Sequence, residues 1–178
     1  MTKEKITRSE LKEKRTANRK VFENQDHSRT VEIYMEPVHY EDEDGSWKEM
    51  DDTLEEVAFG RSIGGTGNRK FCNNKGKLAI QLMDSAEPAA TASLTMDTCA
   101  LRWGMEGAAV SVKAEKTEDN LVTYPGIFED TDLQCRVHGE GLKEDIILHS
   151  PEAVREEYAM LYQMTKVTPV LENNCVHF

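Results

Sequence analysis

The chain has no apolar run approaching the roughly 18 residues of a membrane-spanning helix, which argues against a helical membrane protein. It also lacks a surplus of positive charge. Twenty-two Lys and Arg stand against 33 Asp and Glu, a formal net charge of −11. Such a balance argues against a nucleic-acid partner, because displacing phosphate counterions needs excess Lys and Arg. The opening Met1-Thr2-Lys3-Glu4-Lys5 has no apolar segment behind its charges. The expectation is therefore no secretory signal in this chain, and a cytoplasmic place if it stands alone. No CxxC pair is present, so a local structural zinc site is not expected. Neither G-x-S-x-G, G-x-G-x-x-G nor a Walker pattern occurs, so no nucleophile elbow or phosphate cradle is signalled. No catalytic residue, metal or cofactor emerges from these absences.

What remains is a polar, acidic chain of 178 residues, enough for one domain. Hydrophobic residues make up 38% and charged residues 31%, which is compatible with a folded core. Cys72, Cys99, Cys135 and Cys175 are widely spaced and read as free, mostly buried thiols. Three disulfide pairings remain formally open.

Residues 3–20 carry eight basic and three acidic side chains. Thr7 or Ser9 is placed to cap a short helix through Ser9–Arg15, with only Ile6, Leu11 and Ala17 as an apolar stripe. The expectation is a basic helical lead-in over residues 1–22, lying against an acidic body rather than reaching for an anionic partner.

Beyond it the period becomes two. Thr30–Glu36 places Val31, Ile33 and Met35 on one face, as in a half-buried strand that Pro37 interrupts. Val38-His39-Tyr40 and Trp47–Met50 flank Asp44-Gly45, a hairpin signal. Glycines between Gly60 and Gly67 mark a loop. Further alternating segments are 77–82, 91–96, 100–103, 109–113, 132–137 and 142–148. Hairpin turns are expected at Gly104–Gly107 and Gly139–Gly141. Ser150-Pro151-Glu152 starts one helical turn, followed by a strand with Tyr158, Met160, Tyr162 and Met164 on one face. The fold class expected is all-β, an antiparallel β-sandwich-like domain over residues 23–178 preceded by the short N-terminal helix. That domain is expected to be cut short at its C-terminus, leaving an edge strand that pairs two copies into a homodimer.

The chemistry-bearing clusters read as follows. Asp42, Glu43, Asp44, Glu49, Asp51 and Asp52 are dense in oxygen, but Gly45 falls at position four rather than six of an EF-hand loop, so a solvated acidic hairpin tip is expected. His149 and Asp145 share a strand face that Ser150 does not, which argues against a hydrolase triad with His138 nearby. Tyr34, Tyr40 and Trp47 are candidates for a glycan-stacking platform, with cross-strand packing as the alternative.

Residues 15–22, 31–40 and 44–51, together with Tyr124-Pro125-Gly126 through Cys135 and Gly141–Leu148, form a pattern of turns and strand faces. It resembles a recurring module of wall-associated, Rhs (YD-repeat) and DNRLRE-domain-containing bacterial surface proteins, many of them polymorphic toxins. The resemblance covers most of residues 15–150. It implies a β-rich, non-enzymatic structural or interaction module of a larger polypeptide at the cell surface or secreted, with any chemistry in a separate C-terminal toxin domain. A carbohydrate-binding module and, behind it, a sugar-active enzyme are the alternatives.

Overall fold

The computed structural model describes residues 7–59, 68–76, 78–88, 90–139 and 141–178. The glycine loop at Gly60–Gly67 lies outside these residues. The chain divides into two compact units, Met1–Asp51 and Asp52–Phe178.

In the first unit, strands β1 (Arg8–Glu10), β2 (Arg19–Asn24) and β3 (Arg29–Ile33) form an antiparallel sheet in that order. Among the described residues the expected N-terminal helix is absent, and only a 3-10 turn occurs there, over Lys12–Lys14. A helix with Ile6, Leu11 and Ala17 as its stripe has little to bury. Pairing Ser9 with Glu23 and Glu10 with Phe22 satisfies the backbone and accompanies burial of Val21 instead. A second correction concerns the apolar face of β3. Val31, Ile33 and Met35 are 52%, 80% and 100% exposed. β3 is the edge of a three-stranded sheet, so alternation alone does not supply a covering layer for that face. The hairpin of β4 (His39–Glu41) and β5 (Trp47–Glu49) forms as expected. Gly45 turns it at φ +76°, a value that L side chains rarely adopt.

The second unit is a pair of antiparallel sheets. The larger runs β15-β10-β9-β8-β7-β6, from β6 (Glu55–Phe59), β7 (Asn68–Asn73), β8 (Ala79–Met83), β9 (Ala92–Met96), β10 (Cys99–Met105) and β15 (Met160–Thr165). The smaller runs in sequence order from β11 (Glu115–Glu118) through β12 (Leu121–Phe128) and β13 (Thr131–His138) to β14 (Gly141–Leu148). A short hairpin, β16 (Val170–Glu172) with β17 (Cys175–His177), ends the chain.

Period-two patterning specifies which faces meet. On β13, Thr131, Leu133, Cys135 and Val137 are buried and the residues between them are not. Ile80 and Leu82 do the same on β8. With Phe71, Ala92, Trp103, Met105, Val122 and Tyr124 these apolar side chains make one core between the two sheets. Tyr124 is fully buried, and its Oη donates across that core to the Met83 carbonyl at 2.7 Å.

Two hairpin expectations divide. The turn at Gly139–Gly141 joins β13 to β14 in register, although Glu140 itself lies outside the described residues. The Gly104–Gly107 turn does not return a strand onto β10. Gly104 continues β10 instead, packed so tightly that a Cβ there would stand 2.6 Å from the Pro88 carbonyl oxygen. Residues 109–113 make no strand, because their backbone bonds to Ala86 and Ile127, with Ser111 at φ +66° and Val110 exposed. Met96, expected inward, is likewise exposed. The Tyr124-Pro125-Gly126 segment is an irregularity inside β12 rather than a turn between strands. Gly126 there takes φ +67° and donates its N–H to Asp132 Oδ1 at 2.8 Å. The C-terminal expectation holds: one 3-10 turn over Pro151–Ala153, then β15 with Met160, Tyr162 and Met164 opposite Met105, Trp103 and Leu101.

Replacing Tyr124 by Phe leaves the Met83 carbonyl without its closest side-chain donor in a dry core. The expected loss is about 1–2 kcal/mol of unfolding free energy, read from urea denaturation followed by fluorescence.

Candidate interaction surface

The three aromatic residues nominated from the sequence lie in the first unit. Tyr34 follows β3, and its Oη donates to Glu32 Oε2 at 2.7 Å, which pulls that carboxyl below its ordinary value. In the hairpin, Tyr40 is opposite Lys48 and Trp47 is opposite Glu41. Directly opposed residues share a face, so Tyr40 and Trp47 look out from opposite faces. A sugar ring would meet them singly, not as one platform.

Beside the hairpin sits an ion network that sequence reading did not find. Arg15, expected on a solvated helix, is buried and grips Glu10 with two hydrogen bonds of 2.7 Å. It also donates to the Trp47 carbonyl at 3.3 Å. The Arg15 hydrogen bond holds the Glu10 carboxyl below its ordinary value of 4.5 against the opposing effect of burial. Lys20 does the same for Glu49. His39 is wholly buried, with Nδ1 2.9 Å from the Thr16 carbonyl. A carbonyl only accepts, so Nδ1 carries the proton. Nε2 then faces Glu10 Oε1 at 3.9 Å. The signal in the sequence was faint, since an Arg and a Glu five apart have no common face in a helix or a strand. Only the turn between β1 and β2 brings them together.

In the second unit His138, His149 and Ser150 have separate partners. His149 Nε2 lies 2.8 Å from Asp132 Oδ2, while Ser150 Oγ donates to Asp130 Oδ2 at 3.1 Å. Asp145 pairs with Lys143, and His138 stands 3.8 Å from Asp52. Ser150, Asp130, Glu129, Glu152 and Arg155 line a polar recess of about 260 Å³. Ser150 is thus turned toward a carboxylate, not toward an imidazole that would take its proton. Among the described residues, no group of three or more His, Cys, Asp and Glu side chains is arranged to hold a metal ion.

Glu144 is a carboxyl group set largely into the core. It sits on the inward face of β14, between Leu142 and Ile146, and accepts a 2.9 Å hydrogen bond from Trp103 Nε1. Cys135 Sγ is 3.8 Å from its other oxygen. Burial pushes the Glu144 carboxyl up, and the Trp103 and Cys135 hydrogen bonds only partly oppose this. Burial likewise drives the Cys135 thiol and the Tyr124 hydroxyl well up, so neither is a ready nucleophile or base. Parity along Leu142–Leu148 could have exposed Glu144 as a charge on a buried face. All four cysteines are free, with Cys72 and Cys135 buried and Cys175 exposed.

Over the same sheet end lies an apolar groove of about 350 Å³, where Phe178 meets Leu78, Leu94, Leu101, Met96 and Val167. Tyr162 stacks between Trp103 and Phe178, with ring centroids 6.1 and 5.5 Å away. Among the described residues the surface carries sheet edges and exposed apolar side chains, on a chain of net charge −11.

Comparison with known proteins finds similarity to parts of larger proteins. Over 155 residues, 79% of the chain, it is 26% identical to the tRNA(Glu)-specific nuclease WapA of Bacillus subtilis subsp. natto and to the tRNA nuclease WapA of Bacillus subtilis strain 168. Over 158 residues it is 26% identical to a wall-associated protein of Geobacillus stearothermophilus. The chain spans 6% of the length of the two nucleases and 57% of the Geobacillus protein. No family model matches the chain, and no solved structure matches it. The likeness to a wall-associated protein supports association with the cell surface. Among the described residues no helix is long and apolar enough to cross a membrane. The nuclease names correct one expectation from the sequence, that the protein is no enzyme: they point to enzymatic activity, at low identity.

Two outcomes test the buried acids. Glu10 is held below 4.5, so its pairing stabilises the fold above that pH and the contribution is lost as pH falls through the lowered value. Arg15→Ala should cost about 2–3 kcal/mol at pH 7 and progressively less under acid, measured by denaturant titration across pH. Glu144 has the opposite sign: its raised value means that ionisation weakens the fold as pH rises through the ordinary range. Glu144→Gln keeps an acceptor for Trp103 and should stabilise the protein at pH 8 relative to pH 4, read from the same titrations.

Proposed function

We propose that this chain is an all-β module of a long wall-associated polypeptide of the tRNA-nuclease type, and that it works there by packing and spacing the polypeptide at the cell surface. The observation that carries the reading is the match of 79% of the chain to a wall-associated protein and to two tRNA nucleases much longer than itself. RNA cleavage, in this reading, is an activity of the polypeptide as a whole. The antiparallel sheets supply hydrogen-bonded strands within each unit, and the −11 charge favours a solvated exterior unattractive to the anionic backbone of RNA. The finer likeness, to Rhs (YD-repeat) and DNRLRE-domain surface proteins of polymorphic-toxin type, is supported by the turn-and-strand pattern at 15–22, 31–51, 124–135 and 141–148. Those residues build the β4–β5 hairpin, the β12 irregularity with its Gly126–Asp132 bond, and the β13–β14 hairpin. They are fold-specifying positions.

An antibody to this chain, applied to cytosol, membrane, wall and medium fractions of the native cells, should detect a band far above 20.2 kDa in the wall or the medium. A band of that small size confined to the cytosol overturns the proposal. The purified long polypeptide should cleave a tRNA pool, and intact tRNA after prolonged incubation removes the nuclease part of the reading.

A further inference from the structure

The larger sheet of the second unit ends on β15, Met160-Leu161-Tyr162-Gln163-Met164-Thr165. In a chain that is 31% charged, this edge strand has no charge, proline or glycine, the features by which sheet edges are ordinarily kept from pairing. Among the described residues of 52–178, seven of the twelve large exposed apolar side chains fall in the last eighteen residues, Leu161, Tyr162 and Met164 among them. Three of these, Leu161, Tyr162 and Met164, lie on β15, and the other four lie in or beyond the β16–β17 hairpin.

The backbone fixes what the edge presents. Glu106 donates to the Ala159 carbonyl, and the register of β10 with β15 is continuous from there. Antiparallel pairs alternate between bonded and non-bonded. Residues 161, 163 and 165 therefore spend their backbone groups on β10, while Met160, Tyr162 and Met164 aim theirs away from the sheet. Among the described residues, no backbone hydrogen bond to that outer side is present.

We propose that β15 pairs with β15 of a second copy of this chain, antiparallel about a two-fold axis at Tyr162. In that register Tyr162 meets Tyr162 of the other copy, and Met160 meets Met164. These are the residues whose backbone groups are free, and they share the core face of the sheet. On the opposite face Leu161 meets Gln163. A register shifted by one residue would set core-face side chains against outer-face ones, and an axis at Tyr162 is the one that pairs Met160, Tyr162 and Met164 with one another. The flanking charges agree. Glu156 and Glu157 precede the strand, Lys166 follows it, and all three are exposed. Antiparallel pairing brings the acidic end of one copy to the basic end of the other, twice by symmetry. Two six-stranded sheets become one continuous sheet, and the exposed Tyr162 rings gain a cover.

Light scattering and sedimentation of the 178-residue chain, from micromolar to submillimolar concentration, should show mass rising from 20.2 kDa to twice that value. A mass of 20.2 kDa at every concentration overturns the proposal. The double variant Leu161→Lys, Gln163→Lys changes only exposed outer-face residues and sets two ammonium groups against each other on each side of the axis. It should stay monomeric with an unchanged circular dichroism spectrum. Lys166→Glu should weaken the dimer by about tenfold, and adding Glu156→Lys and Glu157→Lys should restore it, a rescue that a merely structural role would not give. Dimerisation of the double variant equal to that of the parent would place the contact elsewhere and overturn the assignment. Hydrogen exchange at Met160, Tyr162 and Met164 should slow as concentration rises.

Discussion

The second unit depends on one requirement: the apolar face of its larger sheet must be kept from water. The four-stranded sheet answers it, laying Val122, Tyr124, Leu133, Cys135 and Val137 over Phe71, Ile80, Leu82 and Trp103. Covering a sheet this way also buries polar atoms, and each must find a partner. Tyr124 reaches the Met83 carbonyl on the opposite sheet, and Trp103 reaches Glu144. These two bonds span the core in opposite directions, from β12 to β8 and from β10 to β14. They fix the registry of the sheets, where apolar contact alone would tolerate sliding.

The same rule operates on a smaller scale in the first unit. A three-stranded sheet and a two-stranded hairpin enclose little volume, and most of β3 stays open to solvent. What is enclosed there is partly ionic, with Arg15 held by Glu10 and the Trp47 carbonyl, and His39 by the Thr16 carbonyl. A buried ion pair is a weak source of net stability but a strict specifier of geometry, since either partner left alone is costly. The turn that delivers Arg15 inward is accordingly better determined than its helix-like composition suggests.

The surfaces left over bear on function. The chain carries a net charge of −11, and sheet edges stay open among the described residues. Three polar side chains of the second unit have defined partners: Ser150 bonds Asp130, His149 pairs with Asp132 and Glu144 accepts from Trp103. The recess beside Ser150 and the groove beneath Phe178 are recesses between elements, and their linings follow from packing.

Much of this was legible in the sequence, for a physical reason: side-chain direction in a strand alternates strictly, so hydrophobic parity survives without knowledge of neighbours. Parity identified β8, β13, β14 and β15 and the turns at Asp44-Gly45 and Gly139–Gly141. It erred where burial depends on a layer that parity cannot see. Val31, Ile33 and Met35 alternate properly and remain exposed, because nothing local dictates whether a second layer lies above them. The helix expected at Ser9–Arg15 failed for a related reason. Its residues favour a helix, but a strand partner at Glu23 and Phe22 is a non-local fact. Residues 109–113 alternate too, yet their backbone is drawn to Ala86 and Ile127. The sequence by itself determined an antiparallel all-β chain and its acidic exterior, since period and charge are local properties. Only the tertiary structure decided which faces are covered, which carboxyls are shifted and which edges stay open, because desolvation and pairing depend on residues distant along the chain.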